Sequence, residues 1–193
     1  PMEVSLAKCD AMIEAALKAD RLLVVDFGVR YSQHTKQVRR AIQDGAFGRL
    51  LFGDARLKWY RAQSYYDAGH WRGTWAMDGG GSVMNQGVHF VDALYHLMGP
   101  VERVEYARSA VLAHDIETED ATHAILTYKN GAWGSIETTT THYPQLPTAI
   151  EIHGAGGSAV IGDGQMSMRF IDENGAERAY EPPADDLPSD VIA

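Results

Sequence analysis

The chain has 193 residues, 45% hydrophobic and 22% charged, which is enough for one well-buried domain and unlike the composition of disordered proteins. Its formal net charge of -9 and the absence of a lysine or arginine run argue against nucleic-acid binding, which depends on neutralising phosphates. No apolar run approaches the roughly 20 residues of a membrane-spanning helix, and the single cysteine, Cys9, fits a reducing, cytoplasmic environment.

The first segment combines a predicted helix with a predicted buried strand. Ser5 can cap a helix whose apolar residues, including Cys9 and Ile13, follow helical spacing, so we expect the Cys9 thiol to be buried and structural. Residues 22–25 are a continuous apolar run, which is typical of a strand buried on both faces of a parallel sheet. We therefore expect residues 1–31 to be the last helix and strand of a doubly wound, Rossmann-type domain.

The rest of the chain is predicted to be largely antiparallel sheet. After a short helix at 35–44, residues 51–60 alternate as a half-exposed antiparallel strand does. Further strands are predicted at 101–111, 121–129, 132–141, 149–153, 158–161 and 165–171, with a two-residue hairpin turn at Asn130-Gly131. Residues 32–193 are thus expected to form an α+β domain with an open, mostly antiparallel sheet and helices packed on one face.

A glycine-led helix that ends at Gly99-Pro100 separates two groups of side chains. Three glycines at 79–81 precede it, and they remove side chains where a ligand or another backbone could come close. One side of the helix is apolar and is predicted to face the core: Met84, Val88, Val91, Tyr95 and Met98, widened by Phe90, Leu94 and Leu97. Another side is polar and carries Asn85, His89, Asp92 and His96.

Three interpretations of the polar side remain open from these residues. In the first, His89 is a general acid/base, because an imidazole titrates near neutrality, and the Asn85 amide orients a substrate hydroxyl. In the second, His89, Asp92 and His96 bind a metal, although residues seven apart on a helix are separated by roughly 10 Å of axial rise. In the third, the side chains only cap and solvate the helix.

The loop of residues 59–75 is dense in aromatic and arginine side chains. Aromatic faces stack on sugar and nicotinamide rings, and arginine forks hold carboxylates or phosphates. We take Arg61 and Tyr66 as candidate substrate-binding residues, and Trp71 and Arg72 as further candidates for a ligand contact. The alternative is that the loop folds back over the sheet and its aromatic rings form local core.

Several short motifs are specific as a set. They are Trp71-Arg72, the glycines at 79–81, Gly87-Val88-His89 with Asp92, Gly99-Pro100, the segment 117–120, Asn130-Gly131, and Glu151-Ile152-His153-Gly154 with Gly157. Together they resemble the NAD(P)-dependent glucose-fructose oxidoreductase, inositol dehydrogenase and MocA-like family. The resemblance implies an N-terminal Rossmann domain followed by an α+β substrate domain. Because the chain has no Gly-x-Gly-x-x-Gly fingerprint, we expect it to be a fragment that lacks most of the first domain.

The resemblance also implies roles for single residues. His89 matches the family's catalytic histidine, Asn85 matches a position that is more often aspartate, and Trp71 and Arg72 match a pair near the cofactor. The implied reaction is hydride transfer between NAD or NADP and a hydroxyl of a sugar, sugar derivative or cyclitol. A homo-oligomer associated through the open sheet face is expected. The alternatives are a non-catalytic sheet module for subunit association and a metal-dependent hydrolase.

Overall fold

An open sheet of eight strands organises the part of the protein that the computed structural model describes, residues 1–181. Residues 182–193, which include Pro182, Pro183 and Pro188, lie outside the described residues. The strands are β1 (Leu50–Lys58), β2 (Val101–Ala110), β3 (Ala121–Tyr128), β4 (Trp133–Thr139), β5 (Ala149–Gly154), β6 (Gly157–Gly162), β7 (Gln165–Ile171) and β8 (Glu177–Arg178). Their spatial order is β2-β3-β4-β1-β5-β6-β7-β8, which confirms the open, mostly antiparallel sheet.

The helices are α1 (Leu6–Lys18), α2 (Gln33–Gln43), α3 (Gln63–Asp67) and α4 (Val88–Met98), with a 3-10 turn at Gly28–Tyr31 and a π-helical turn at Ser82–Gly87. The predicted helix near 35–44 is α2, which begins at this point because the Ser32 hydroxyl accepts a hydrogen bond from the Thr35 backbone N–H. Helix α4 packs on β1 and β5, and α2 packs on β6 and β7. These two helices share one core with the sheet, which agrees with the predicted packing of helices on one face. Within residues 1–181, none of the helices is both long enough and apolar enough to span a bilayer.

Strand β1 lies inside the sheet and is antiparallel on one side only. Asp54 is paired with Glu151 in the antiparallel neighbour β5 and with Ser135 in the parallel neighbour β4. The predicted alternation is confirmed, since Ala55 and Leu57 are buried. The prediction of a purely antiparallel strand is wrong, because α4 and the β2–β3 hairpin form a long crossover between β1 and β4, which allows the two strands to run in the same direction.

Three residues of the predicted apolar side of α4, Leu94, Leu97 and Met98, are buried as expected, but the centre of the buried side is shifted from the predicted stripe. The helix buries Ala93, Leu94, Leu97 and Met98, and a Cβ on Gly53 of β1 would stand 2.4 Å from Cγ of Met98. By contrast, most of the predicted core stripe is only partly buried, and Tyr95 is 48% exposed. Both sets of residues follow helical spacing, so periodicity could not tell which one faces the sheet.

The predicted strand at 22–25 does not form in this structure. The segment has no partner in the sheet, and Leu22 is 95% exposed. Helix α1 buries none of its residues, and Cys9 is partly exposed, which corrects the prediction of a buried thiol. The reason is that no described strand lies beside this segment, and a strand of a parallel sheet is buried only when neighbours cover it. The domain boundary after residue 31 stays a prediction.

The hairpin between β3 and β4 has a three-residue loop, so the predicted two-residue turn is wrong by one residue. The Tyr128 backbone N–H donates to the Ala132 carbonyl, which leaves residues 129–131 as the loop. Gly131 adopts φ 83°, a conformation that glycine accepts without strain. The Asn130 side chain holds the loop by donating to the Met98 carbonyl and accepting from the Ala132 N–H.

Candidate active site

The segment after the glycine triplet forms a π-helical turn, Ser82–Gly87, and α4 begins only at Val88. The single helix predicted from the sequence is therefore interrupted: Asn85 lies in the π-helical turn, and His89 lies in α4. A π-helical turn contains an extra residue, so a spacing of four residues across it no longer stacks the two side chains as it does in an α-helix. Such turns occur frequently at functional sites.

Two glycines allow the π-helical turn to approach the sheet closely. A Cβ on Gly81 would stand 1.7 Å from the Glu119 carbonyl oxygen, just ahead of β3. A Cβ on Gly87 would stand 2.6 Å from Cγ2 of Thr138 in β4. Any larger residue at either position would push the turn away from the sheet, so both glycines are required by packing.

Asn85 is tied to a carboxylate that sequence reasoning missed. Its Nδ2 donates to Oδ1 of Asp78 at 2.7 Å, and Oδ2 of Asp78 accepts from the Gly73 backbone N–H at 2.9 Å. Asp78 thus joins the π-helical turn to the loop of residues 59–75. Its place directly before the glycine triplet was the available signal in the sequence.

The His89 imidazole is exposed and available to a ligand. Its ring meets the edge of Phe27 at 6.1 Å between centroids. Within residues 1–181, no protein group hydrogen-bonds to its ring nitrogens, and Asn85 donates to Asp78 instead of to His89. A histidine whose nitrogens face no protein partner can exchange a proton with a bound hydroxyl group.

Asp92 and His96 have structural roles on the same side of α4. Both carboxylate oxygens of Asp92 accept from Arg30. Burial, with the nearby charges of Arg39 and Arg30, lowers the pKa of His96, which favours a neutral imidazole. Among residues 1–181, no group of three His, Cys, Asp or Glu side chains could hold a metal ion. Because Arg30 occupies both oxygens of Asp92, the described structure does not support the metal-site interpretation of this face.

Two arginines of the loop share one aromatic ring. The Arg61 guanidinium lies over Trp59 at 4.9 Å and over Tyr65 at 5.4 Å. The Arg72 guanidinium lies over Tyr65 at 4.6 Å and over Trp71 at 4.7 Å. Neither arginine forms an ion pair with any described carboxylate. We call these five residues the arginine corner.

Unsatisfied polar atoms lie beside the arginine corner. Nε of Arg72 is buried without an acceptor, and Oε1 of Gln86 is buried without a donor. The other amide atom of Gln86, Nε2, donates to the Tyr65 hydroxyl at 3.3 Å, so the corner is joined to the π-helical turn. Within residues 1–181 neither atom has a protein partner, and a buried polar group without a partner costs about 1–3 kcal/mol.

Tyr66 is a buried residue that anchors the loop of residues 59–75. It is only 6% exposed, and its hydroxyl shares a 2.7 Å hydrogen bond with the Thr140 hydroxyl. Burial raises the pKa of Tyr66, so the phenol stays neutral. Of the two neighbouring tyrosines, the structure places Tyr65, not the predicted Tyr66, where a ligand could touch it. Trp71 and Arg72 both belong to the arginine corner, as a shared ligand contact requires.

A buried His114 also anchors the loop and was missed in the sequence. Its Nδ1 lies 2.9 Å from Oδ2 of Asp120, and its Nε2 lies 2.8 Å from the Arg61 carbonyl oxygen. Asp120 also accepts from the backbone N–H groups of residues 112–114, and these bonds lower its pKa against the opposing effect of burial. The backbone of Arg61 is therefore held by the segment that leads into β3.

The chain and its fold match known proteins. The family model described as the GFO/IDH/MocA C-terminal domain matches residues 35–160. A WlbA dehydrogenase from Bordetella pertussis, solved in complex with NADH and UDP-GlcNAcA, is 40% identical, with a TM-score of 0.77 over 83% of this chain and 49% of that chain. The WlbA dehydrogenase from Chromobacterium violaceum, solved with the same two ligands, is 37% identical, with a TM-score of 0.80 over 89% of this chain and 51% of that chain.

A curated relative extends the comparison to nearly the whole chain. D-apiose dehydrogenase from Paraburkholderia graminis is 26% identical over 190 residues, which are 95% of this chain and 48% of the relative. The chain thus spans about half the length of the curated relatives it matches.

Proposed function

The chain belongs to the GFO/IDH/MocA family, and on this premise we propose that it forms the substrate-binding part of an NAD- or NADP-dependent oxidoreductase acting on a hydroxyl of a sugar, sugar derivative or cyclitol. The observation that carries the proposal is the exposed His89 imidazole, whose ring nitrogens have no hydrogen-bond partner within residues 1–181 and which follows a π-helical turn held against the sheet. Membership of the family supports the reaction class, and this geometry supports the proposal that His89 moves the proton.

In the proposed reaction, His89 takes the proton of the substrate hydroxyl on a ring nitrogen during oxidation and returns it during reduction. The nicotinamide cofactor, when bound, supplies the redox chemistry by accepting or donating the hydride. Asn85 is anchored through Nδ2 to Asp78, and its Oδ1 is left to accept a hydrogen bond from a substrate hydroxyl. Asn85 therefore orients the substrate, while His89 carries out the proton transfer.

The residues of the arginine corner fit anionic ligand groups. A dinucleotide carries phosphates, and the Arg72 guanidinium pairs with no carboxylate among the described residues, so we assign Arg72 with Trp71 to the cofactor side. Arg61 is assigned to the substrate side. Because Arg61 has no carboxylate partner within residues 1–181, it favours an anionic sugar derivative over a neutral sugar. The two similar WlbA dehydrogenases were solved with UDP-GlcNAcA, which has this character.

We also propose that the open sheet face associates with a second copy of the chain. That face exposes large apolar side chains on four adjacent strands: Phe52, Tyr106, Ile125 and Trp133, with Trp133 59% exposed. Large exposed apolar patches mark interaction surfaces in soluble proteins. The same observation favours the second candidate function, a non-catalytic sheet module for subunit association. A cytoplasmic location, which suits the unpaired Cys9, belongs to the proposal as well.

One assay separates the two candidates. The complete polypeptide that carries this chain is incubated with NAD⁺ or NADP⁺ and, in turn, a UDP-linked sugar acid, a neutral sugar and myo-inositol, while nicotinamide absorbance is followed. Turnover of at least one of them supports the oxidoreductase, and the highest kcat/KM is expected for the UDP-linked sugar acid. Self-association in sedimentation without turnover or cofactor binding would support the module and contradict the enzyme.

A further inference from the structure

We propose that Glu119 is a positioning residue that holds Ser82–Gly87 in its π-helical form and thereby places Asn85 relative to His89. The inference rests on the proposed function, because it concerns the same two side chains. It adds a residue that does not itself touch the reacting groups and that no catalytic motif points to.

Glu119 accepts hydrogen bonds from three consecutive backbone N–H groups. Its Oε2 accepts from Gly81 at 2.8 Å, and its Oε1 accepts from Val83 at 2.9 Å. Its backbone carbonyl accepts from Ser82 at 2.8 Å. The first N–H groups of a helical segment have no partner inside it, so a single residue satisfies three donors that would otherwise be left unpaired.

The charge and location of Glu119 suit this role. A carboxylate near the start of a helical segment is stabilised by the aligned peptide dipoles, and hydrogen bonds to an ionised acceptor are stronger than neutral ones. Glu119 lies two residues before β3. Strand β4 contacts both ends of the turn: at its start the Ser82 hydroxyl lies 3.0 Å from the Thr138 hydroxyl, and at its end Gly87 packs on Thr138. The position of the turn is therefore fixed by contacts with two adjacent strands, β4 and the start of β3.

The competing conformation of the segment is an ordinary α-helical turn. A π-helical turn is rare because the backbone prefers the α-helical pattern, so contacts from outside the segment must select it. The π-helical turn and an α-helical turn direct Asn85 differently relative to His89, since they differ by one residue per turn. Losing the Glu119 bonds would therefore change where the Asn85 amide points, even if the protein remained folded.

The first test uses amide exchange and side-chain NMR on the complete polypeptide, and it needs no activity. Glu119→Gln keeps one carbonyl acceptor but turns an NH₂ donor toward a second N–H donor, whereas Glu119→Ala removes both acceptors. The matched control is Glu102→Gln, which removes a carboxylate that is exposed and makes no hydrogen bond within residues 1–181. We expect Gly81 and Val83 amides to exchange about tenfold faster in Glu119→Gln and faster still in Glu119→Ala.

The same spectra report on the site. The side-chain resonances of Asn85 and His89 should shift in both Glu119 variants and stay in place in Glu102→Gln. Unchanged protection of Gly81 and Val83 in Glu119→Ala, or unshifted Asn85 and His89 resonances, would overturn the proposal. These readouts apply whether or not the proposed function is correct, so its failure is distinguishable from a failure of this inference.

The second test separates positioning from mere stabilisation. With kcat normalised to the folded fraction, the Glu119 variants should lose about tenfold or more in kcat while KM changes less than about twofold, because misplaced groups slow the chemical step. A stabilising role alone predicts a lower melting temperature with unchanged normalised kcat, and that result would refute the assignment. If the wild-type protein has no dehydrogenase activity, the proposed function fails and the NMR result alone decides the role of Glu119.

Discussion

Arg30 binds both carboxylate oxygens of Asp92, with Nε 2.6 Å from Oδ2 and Nη2 2.5 Å from Oδ1. This pair joins the 3-10 turn before α2 to the helix that carries His89, one helical turn away. The same guanidinium lies 5.9 Å from the ring of Phe27, which in turn meets the His89 ring. The segment 27–30 therefore braces the side of α4 on which His89 stands.

Replacing Arg30 with lysine should test this brace. Arg30→Lys keeps the charge but loses the fork, and the Asp92 side chain is only 10% exposed, so one carboxylate oxygen would lose its donor. We expect the free energy of unfolding to fall by about 1 kcal/mol, a value already reduced for the partial solvent exposure of Arg30. Chemical denaturation measures it. Arg103→Lys in the exposed pair with Glu105 is the control, and an equal effect in both variants would contradict the brace.

His89→Ala should lower kcat by about 100-fold or more, the usual scale for the loss of a general acid/base. KM for the sugar should change much less, since His89 acts on the proton in the chemical step. The matched control is His34→Ala, at a partly exposed position of α2, a helix that carries none of the proposed site residues. A loss of less than about threefold in His89→Ala would remove this histidine from the mechanism.

Asn85→Asp should bring two carboxylates into contact at the position of the 2.7 Å hydrogen bond to Asp78. Like charges raise the pKa of one member of such a pair, so the folded state would bind more protons than the unfolded state. By linkage, the destabilisation of the variant should grow as pH rises through the raised pKa and should shrink at acidic pH. The double variant Asp78→Asn with Asn85→Asp restores one amide and one carboxylate and should recover stability. Denaturation curves at several pH values measure the free energy of unfolding of each variant. A loss of stability in Asn85→Asp that does not depend on pH would contradict the contact with Asp78.

His96 should make the protein less stable in mild acid. Burial and two nearby arginines lower the pKa of His96 in the folded state, so the unfolded state binds more protons as pH falls below about 6.5. The stability contributed by neutral His96 is present above that pH and is lost below it. His96→Gln should therefore flatten the fall in unfolding free energy between about pH 7.5 and about pH 5.5. An unchanged slope would show that other groups dominate this range.

Arg72→Lys should raise KM for the cofactor, and Arg61→Lys should raise KM for the sugar substrate. Lysine keeps the charge but cannot present two parallel donors or stack as a planar guanidinium does. The control Arg49→Lys alters an exposed arginine that makes no side-chain hydrogen bond with the described chain. Unchanged KM for both ligands in both corner variants would refute an anion-binding role for the arginine corner.

Local patterns in the sequence determined much of this fold. The alternation around Ala55 and Leu57 located β1, and Ser32 marks the start of α2, because strand periodicity and helix capping depend on residues a few positions apart. The motif set around His89 also pointed to the family, since it depends on residue types at short, fixed spacings. The roles proposed for His89, Asn85 and the arginines stay predictions.

Only the tertiary structure decided which groups meet. The predicted apolar side of α4 was wide, and packing against the sheet buried Leu94 and Leu97 within it while leaving Tyr95 exposed. Asp92 looked like a metal ligand until Arg30, 62 positions away, was found to occupy both its oxygens. Glu119 is 38 positions from Gly81, and no periodicity links them. Periodicity indicates which side of a helix or strand a residue lies on. The residue that it contacts there depends on how the fold brings distant segments of the chain together.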